Sequence, residues 1–147
     1  MSSKLLYNNI GISALSIGFV LTAIALPVSK AVLILPIVSH RELLNYLSHR
    51  ASKIKGLEQL IIEKTSCFSN FNKRYYDNFH ASLNAIQLLN EIELIQIKDG
   101  VLIPKCSFGY SEPMGNRAEK IHKAARNIAL ILTEKVENLY LNLRIEL

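Results

Sequence analysis

Tryptophan is absent, cysteine occurs only twice, and no stretch of the 147 residues carries a catalytic signature. Cys67 and Cys106 lie far apart and form no C-x-x-C pair, so neither a disulfide framework nor a zinc site is indicated. A reducing cytoplasm is the simplest setting for such a chain. The four histidines, His40, His49, His80 and His122, match neither an i, i+4 metal pair nor H-E-x-x-H, so no metal site is expected. A P-loop, a G-x-G-x-x-G turn after a strand and a G-x-S-x-G elbow are all missing, which removes the usual cradles for nucleotide phosphates and the serine-hydrolase nucleophile. Lys64 lies near Cys67, but nothing else nearby recommends that thiol as a nucleophile over a buried, inert one. Neither an enzyme nor a cofactor is expected.

Charge is also missing from one long stretch: residues 5–29 contain none. "YNNIGISALSIGFVLTAIAL", residues 7–26, has the length of a bilayer-spanning helix, with Asn8 or Asn9 as its cap and Pro27 beyond its end. Ser13, Ser16 and Thr22, with Gly11 and Gly18, dilute its hydrophobicity, and only Lys4 precedes it. A second apolar run, "VSKAVLILPIVSH", follows at once and is too short to span. Two such neighbours fit a buried core better than a hairpin in lipid. The competing reading is a membrane anchor at residues 10–29 with a basic cytoplasmic remainder. No secretory signal is evident, since no small-residue cleavage motif leads into a polar start.

What is present points to one domain, large enough to bury a core without staples. Half of the residues are hydrophobic and the mean hydropathy is +0.20, more apolar than a soluble monomer requires; a large partner interface would absorb the excess. Net charge is +5, a mild bias toward anionic partners without dense clustering.

Residues 28–38 read as a kinked helix or a buried strand, with helix preferred; Pro36 cannot donate to a ladder. "SHRELLNYLSHR" gives a short amphipathic helix, with Ser39 as cap and Glu42 completing a capping box. Leu57, Leu60 and Ile61 mark another helix behind Gly56. Phe68, Phe71, Tyr75, Phe79, Leu83, Ile86 and Leu89 then recur every three or four residues, as in one long helix or two in series. In "LIQIKDGVLIP", two β-prone arms flank Asp99-Gly100, a strong hairpin signal. Residues 107–116 read as a loop, and 117–143 as one helix of about seven turns. Arg117, Lys120, Lys123 and Arg126 recur every third residue, which winds them around that helix and reads as a solvated end. The expected class is therefore mainly α with a small β-hairpin. Helices followed by a hairpin outline a winged helix, although a hairpin packed on helices for other reasons gives the same pattern. Lys73, Arg74, Lys98 and Lys105 lie where a winged helix would meet phosphates; an ordinary solvated surface accounts for the same four. A stand-alone winged-helix DNA binder ranks third, because no recognition helix rich in Arg, Asn or Gln is visible.

The order of these features resembles the middle component of bacterial three-component ABC systems, including the small subunit of Lamassu-type defence systems. The resemblance rests on "YNNIGISAL", on the two Leu-Pro steps and following His-Arg of "LPVSKAVLILPIVSHRELL", on "NFHASLNAIQLLNEIELIQIKDGVLIP" and on "AEKIHKAARNIALILTEKVENLYLNLRIEL". Ile10 stands where the pattern has Pro, and Glu42 where Thr or Pro is usual. The resemblance implies a non-enzymatic subunit joining an SMC-like ABC ATPase to an effector, commonly a nuclease, with possible DNA contact inside the complex. Leu26, Pro27, Leu35, Pro36, His40 and Arg41 would then form the partner-facing segment, with His40 and Arg41 at its exposed end.

Overall fold

The computed structural model describes residues 3–147, with side chains from residue 11 onward. The first helix, α1 (Ser3–Ala23), is interrupted at Gly11, whose φ of 71° and ψ of −173° lie in a region open essentially to glycine. The helix therefore begins ahead of the expected residue 7 and breaks where glycine allows; the proposed Asn8 and Asn9 caps concern side chains outside the described residues. Beyond the break, every side chain from Ala14 to Leu21 is buried. A helix apolar on all sides must be enclosed on all sides, and here two later helices, Phe71–Glu91 and Asn116–Ile131, enclose it in place of lipid. Its hydroxyls bond within the helix: Ser16 Oγ donates to the Ile12 carbonyl at 2.6 Å, and Thr22 Oγ1 to Gly18 at 3.0 Å. No described helix is long and apolar enough to cross a membrane.

Residues 31–38 form the second continuously buried stretch. They are helical, as preferred from sequence: α2 (Val28–Ala31) and α3 (Ile34–Val38) are joined by a turn. Pro36 is the third residue of α3, where its missing N–H costs no helical bond. The preceding Leu26–Pro27 is a two-residue strand, β1, not visible in the sequence pattern.

Helices α4 (Arg41–Ser48) and α5 (Leu57–Glu63) follow, then α6 (Phe71–Glu91), a single long helix. The hairpin strands are β2 (Ile95–Lys98) and β3 (Val101–Pro104). Asp99 and Gly100 both have positive φ, as a two-residue turn matched to strand twist requires. β1 joins this hairpin antiparallel, Leu26 facing Leu102, to give the order β1-β3-β2. Pro27 is tolerated there because β1 is an edge strand.

The expected seven-turn C-terminal helix is instead two: α7 (Asn116–Ile131) and α8 (Val136–Asn142). Neither Pro nor Gly marks the break. Thr133 Oγ1 donates to the Leu130 carbonyl at 2.7 Å and Lys135 is extended, so a side chain competes with the helical ladder while buried Leu132, Leu139 and Leu143 continue the apolar stripe across the turn. α8 packs on α5, and Tyr140 Oη ties it to α2 by donating to the Ser29 carbonyl at 2.7 Å.

The loop after the hairpin is fixed to α1 by a close approach. Phe108 is buried over Gly18, where an added Cβ would collide with its ring, and the Phe108 N–H donates to Thr22 Oγ1 at 3.0 Å. We expect Gly18→Ala to destabilise the fold by about 1–3 kcal/mol through overpacking, although alanine is the better helix former. Urea denaturation checks this; an unchanged or raised midpoint would contradict the packing described.

Candidate functional site

The segment singled out from sequence divides into a buried and an exposed part. Leu26 and Leu35 are 1% and 4% exposed and Pro36 is buried, so these three side chains belong to the core. Pro27 and His40 are half-buried, and Arg41 is exposed. The capping expectation also changes. His40, not Ser39, caps α4: its Nδ1 accepts the Leu43 N–H at 3.1 Å, while Ser39 Oγ donates back to the Pro36 carbonyl at 3.1 Å. Burial, and after it the Arg74 charge, lowers the His40 pKa, with Glu42 opposing.

Arg74 occupies the same place from the other side. Its Nε donates to the Pro36 carbonyl at 3.1 Å, its guanidinium lies 5.0 Å from the Phe71 ring centroid, and Nη2 is buried without a partner. The Pro36 carbonyl lies in the last turn of α3, where a cation complements the helix end. Asn78 adds a bond from Nδ2 to Ser39 Oγ at 3.4 Å. Arg74 thus fastens α3 to α6 and is not a free phosphate contact. Lys73 is exposed and paired with Asp77 at 2.8 Å; Lys98 and Lys105 are exposed at the hairpin tip and exit. Of the four residues singled out for DNA contact, Arg74 is therefore engaged within the fold, while Lys73, Lys98 and Lys105 are on the surface. Cys67 is buried and burial raises its thiol pKa, which keeps it protonated and inert.

Two surface features escaped the sequence reading. The first is a cleft of about 760 Å³ between α4 and α7, into which Arg50, Lys120, Lys123 and Arg126 all face with a single carboxylate, Glu119. At about 100° per residue, Lys120, Lys123 and Arg126 fall within roughly 120° of arc. The third-residue drift carries only Arg117 away. α4 supplies the opposite wall, which no local pattern reveals. The second is a groove of about 550 Å³ between α5 and α8, where Ile62 and Leu141 stand 78% and 76% exposed beside Glu58, Asn142 and Arg144.

The chain is thus a small, mainly helical protein with an apolar core and exposed aliphatic side chains on α5 and α8. The family is specific: residues 21–147 match the model of the ABC-three component (ABC-3C) system Middle Component 3, and the chain belongs to that family. No curated protein and no solved structure matches it.

Two outcomes test this geometry. Arg74→Ala should cost about 1–3 kcal/mol of stability by removing a charge-assisted bond to the Pro36 carbonyl, which keeps Ser39 Oγ, and the packing over Phe71, whereas Lys73→Ala, in an exposed pair, should stay within about 0.5 kcal/mol; chemical denaturation of both separates a fastening role from a surface one. His40 has a folded pKa below its ordinary 6.5, so the unfolded chain binds the extra proton first. The cap's contribution is complete above pH 6.5 and is lost as pH falls through the folded pKa. His40→Asn keeps a cap without that titration, and its melting temperature should fall less than that of the native chain below pH 6.5.

Proposed function

We propose that this middle component is a non-enzymatic bridge between an SMC-like ABC ATPase and an effector, a nuclease in the commonest arrangement, in a cytoplasmic Lamassu-type complex that acts against phage or plasmid DNA. Membership of the ABC-3C middle-component family carries the reading. Exposed Ile62 and Leu141, side by side on adjoining helices, support it: aliphatic groups bounded by charged and amide side chains have the makeup of an interface core and rim. Arg41, exposed at the start of α4, offers a second point of attachment. α5 and α6 leading directly into the hairpin, with β1 added at its edge, support a winged-helix reading of residues 57–106. In this reading the buried helices hold the two attachment points at a fixed separation, so a movement of the ATPase is passed to the effector.

Coexpression with the products of the adjacent ABC-3C genes tests the bridge. The expected result is one complex of all three by size-exclusion chromatography, with Ile62→Asp/Leu141→Asp losing one partner and retaining the other. A monomer with affinity for neither product would refute the proposal.

A further inference from the structure

The α4–α7 cleft has no part in the bridging role, and its chemistry is distinct. Four cations from two chain segments converge on one concavity with a single carboxylate among them. That carboxylate, Glu119, stands 3.5 Å from Lys123, so a surplus of positive charge faces the opening. The walls are held in place: Lys120 Nζ donates to Asn45 Oδ1 at 2.6 Å, and Asn127 Nδ2 to the Leu47 carbonyl at 2.8 Å, each bond joining α7 to α4. Every side chain lining the cleft is polar or charged. An acidic peptide held at an interface ordinarily seats an apolar or aromatic anchor, and no Leu, Ile, Val, Met, Phe or Tyr side chain lines the cleft to receive one. Single strands bind by stacking successive bases on a series of aromatic rings, and the cleft lining has one ring, the His49 imidazole, and no Phe, Tyr or Trp. Phosphates of a duplex need only fixed cations and neutral donors, which side-chain amides and hydroxyls provide.

We propose that the α4–α7 cleft binds the phosphate backbone of double-stranded nucleic acid through Arg50, Lys120, Lys123 and Arg126. Contact of this kind carries no base readout, so the site holds a duplex without regard to sequence. It also lies apart from Lys98 and Lys105, the cations a hairpin wing would use.

Fluorescence anisotropy of the full chain with a short labelled DNA duplex tests this, with circular dichroism confirming that each variant is folded. We expect salt-dependent binding, weakened roughly tenfold by Lys123→Gln/Arg126→Gln, with the slope of log affinity on log salt shallower by about 0.9 for each charge removed. Arg50→Gln, on the opposite wall, should weaken binding in the same direction, and Lys98→Gln/Lys105→Gln should leave it unchanged. A single strand of the same length should bind more weakly than the duplex. The proposal is overturned if the cleft variants bind like the native chain, if the hairpin variant loses as much, or if single strands bind more tightly. It also fails if polyglutamate displaces the duplex at equal charge concentration, which would assign the cleft to an acidic protein, or if millimolar inorganic phosphate does so, which would make it a small-anion pocket.

Discussion

Two stretches of eight residues, 14–21 and 31–38, have no exposed side chain at all, and the fold is organised around enclosing them. Neither can rest on a surface with one face in water, so each needs polypeptide around its whole circumference. In a chain of 147 residues this places α1 between α6 and α7, with α3 beside it, and leaves the remaining elements to close the gaps. The irregular features follow from the enclosure. Gly18 lets the Phe108 ring lie against the α1 backbone, and β1 turns the chain between the two buried stretches while completing the sheet beside the hairpin. Burying one large aliphatic side chain is worth about 1.5–3 kcal/mol, so the ten Leu, Ile and Val side chains among these positions together offset helix caps and turns that are weak in isolation.

The same enclosure explains what the sequence made legible. The helix, hairpin and loop boundaries of residues 57–116 follow from local signals, the spacing of aromatic and leucine residues and Asp99-Gly100 among them. The apolar character of residues 14–38 was equally plain, and the choice of core over membrane rested on diluting serines and glycines, which the structure uses as self-bonded hydroxyls and close-packing sites. Three features were not local. β1 is two residues long and exists only by pairing with residues some 75 positions later. The α7–α8 break continues an unbroken apolar stripe, so periodicity reads straight through it. His40 displaces Ser39 as cap because Ser39 is taken by the Pro36 carbonyl, a bond set by where α3 ends.

Charge was harder to read than apolarity, for a related reason. Lys73 and Arg74 are neighbours in sequence but have opposite fates: one is in solvent beside Asp77, the other folded under α3 with its guanidinium half-buried. Helical phase decides this, and the phase matters only relative to an element 38 residues away. Arg50 and Arg126 meet across a cleft by the same kind of distant pairing. A count of cations along the chain therefore places emphasis on the hairpin, whereas their convergence in space is on α4 and α7.

The two surface features also share an origin. α4 pairs with α7 and α5 with α8, so the segment containing α4 and α5 lies against the segment containing α7 and α8. Both segments break at matching places. Glu134 in the α7–α8 break approaches Gly56, which caps α5 at the end of the α4–α5 loop. Had either segment continued as one straight helix, a single uniform seam would run along the pair. The paired breaks divide it into a polar, cationic half and an aliphatic half. A subunit that must hold an anionic polymer and another protein at once needs surfaces of opposite chemistry that do not compete, because an aliphatic interface gains by expelling water while phosphate contacts work through charge and remain wet. Breaking both helices in register provides that separation within one pair of segments, and it makes residues 132–135 and 53–56, which line neither the cleft nor the aliphatic groove, the positions on which the relation between the two surfaces depends.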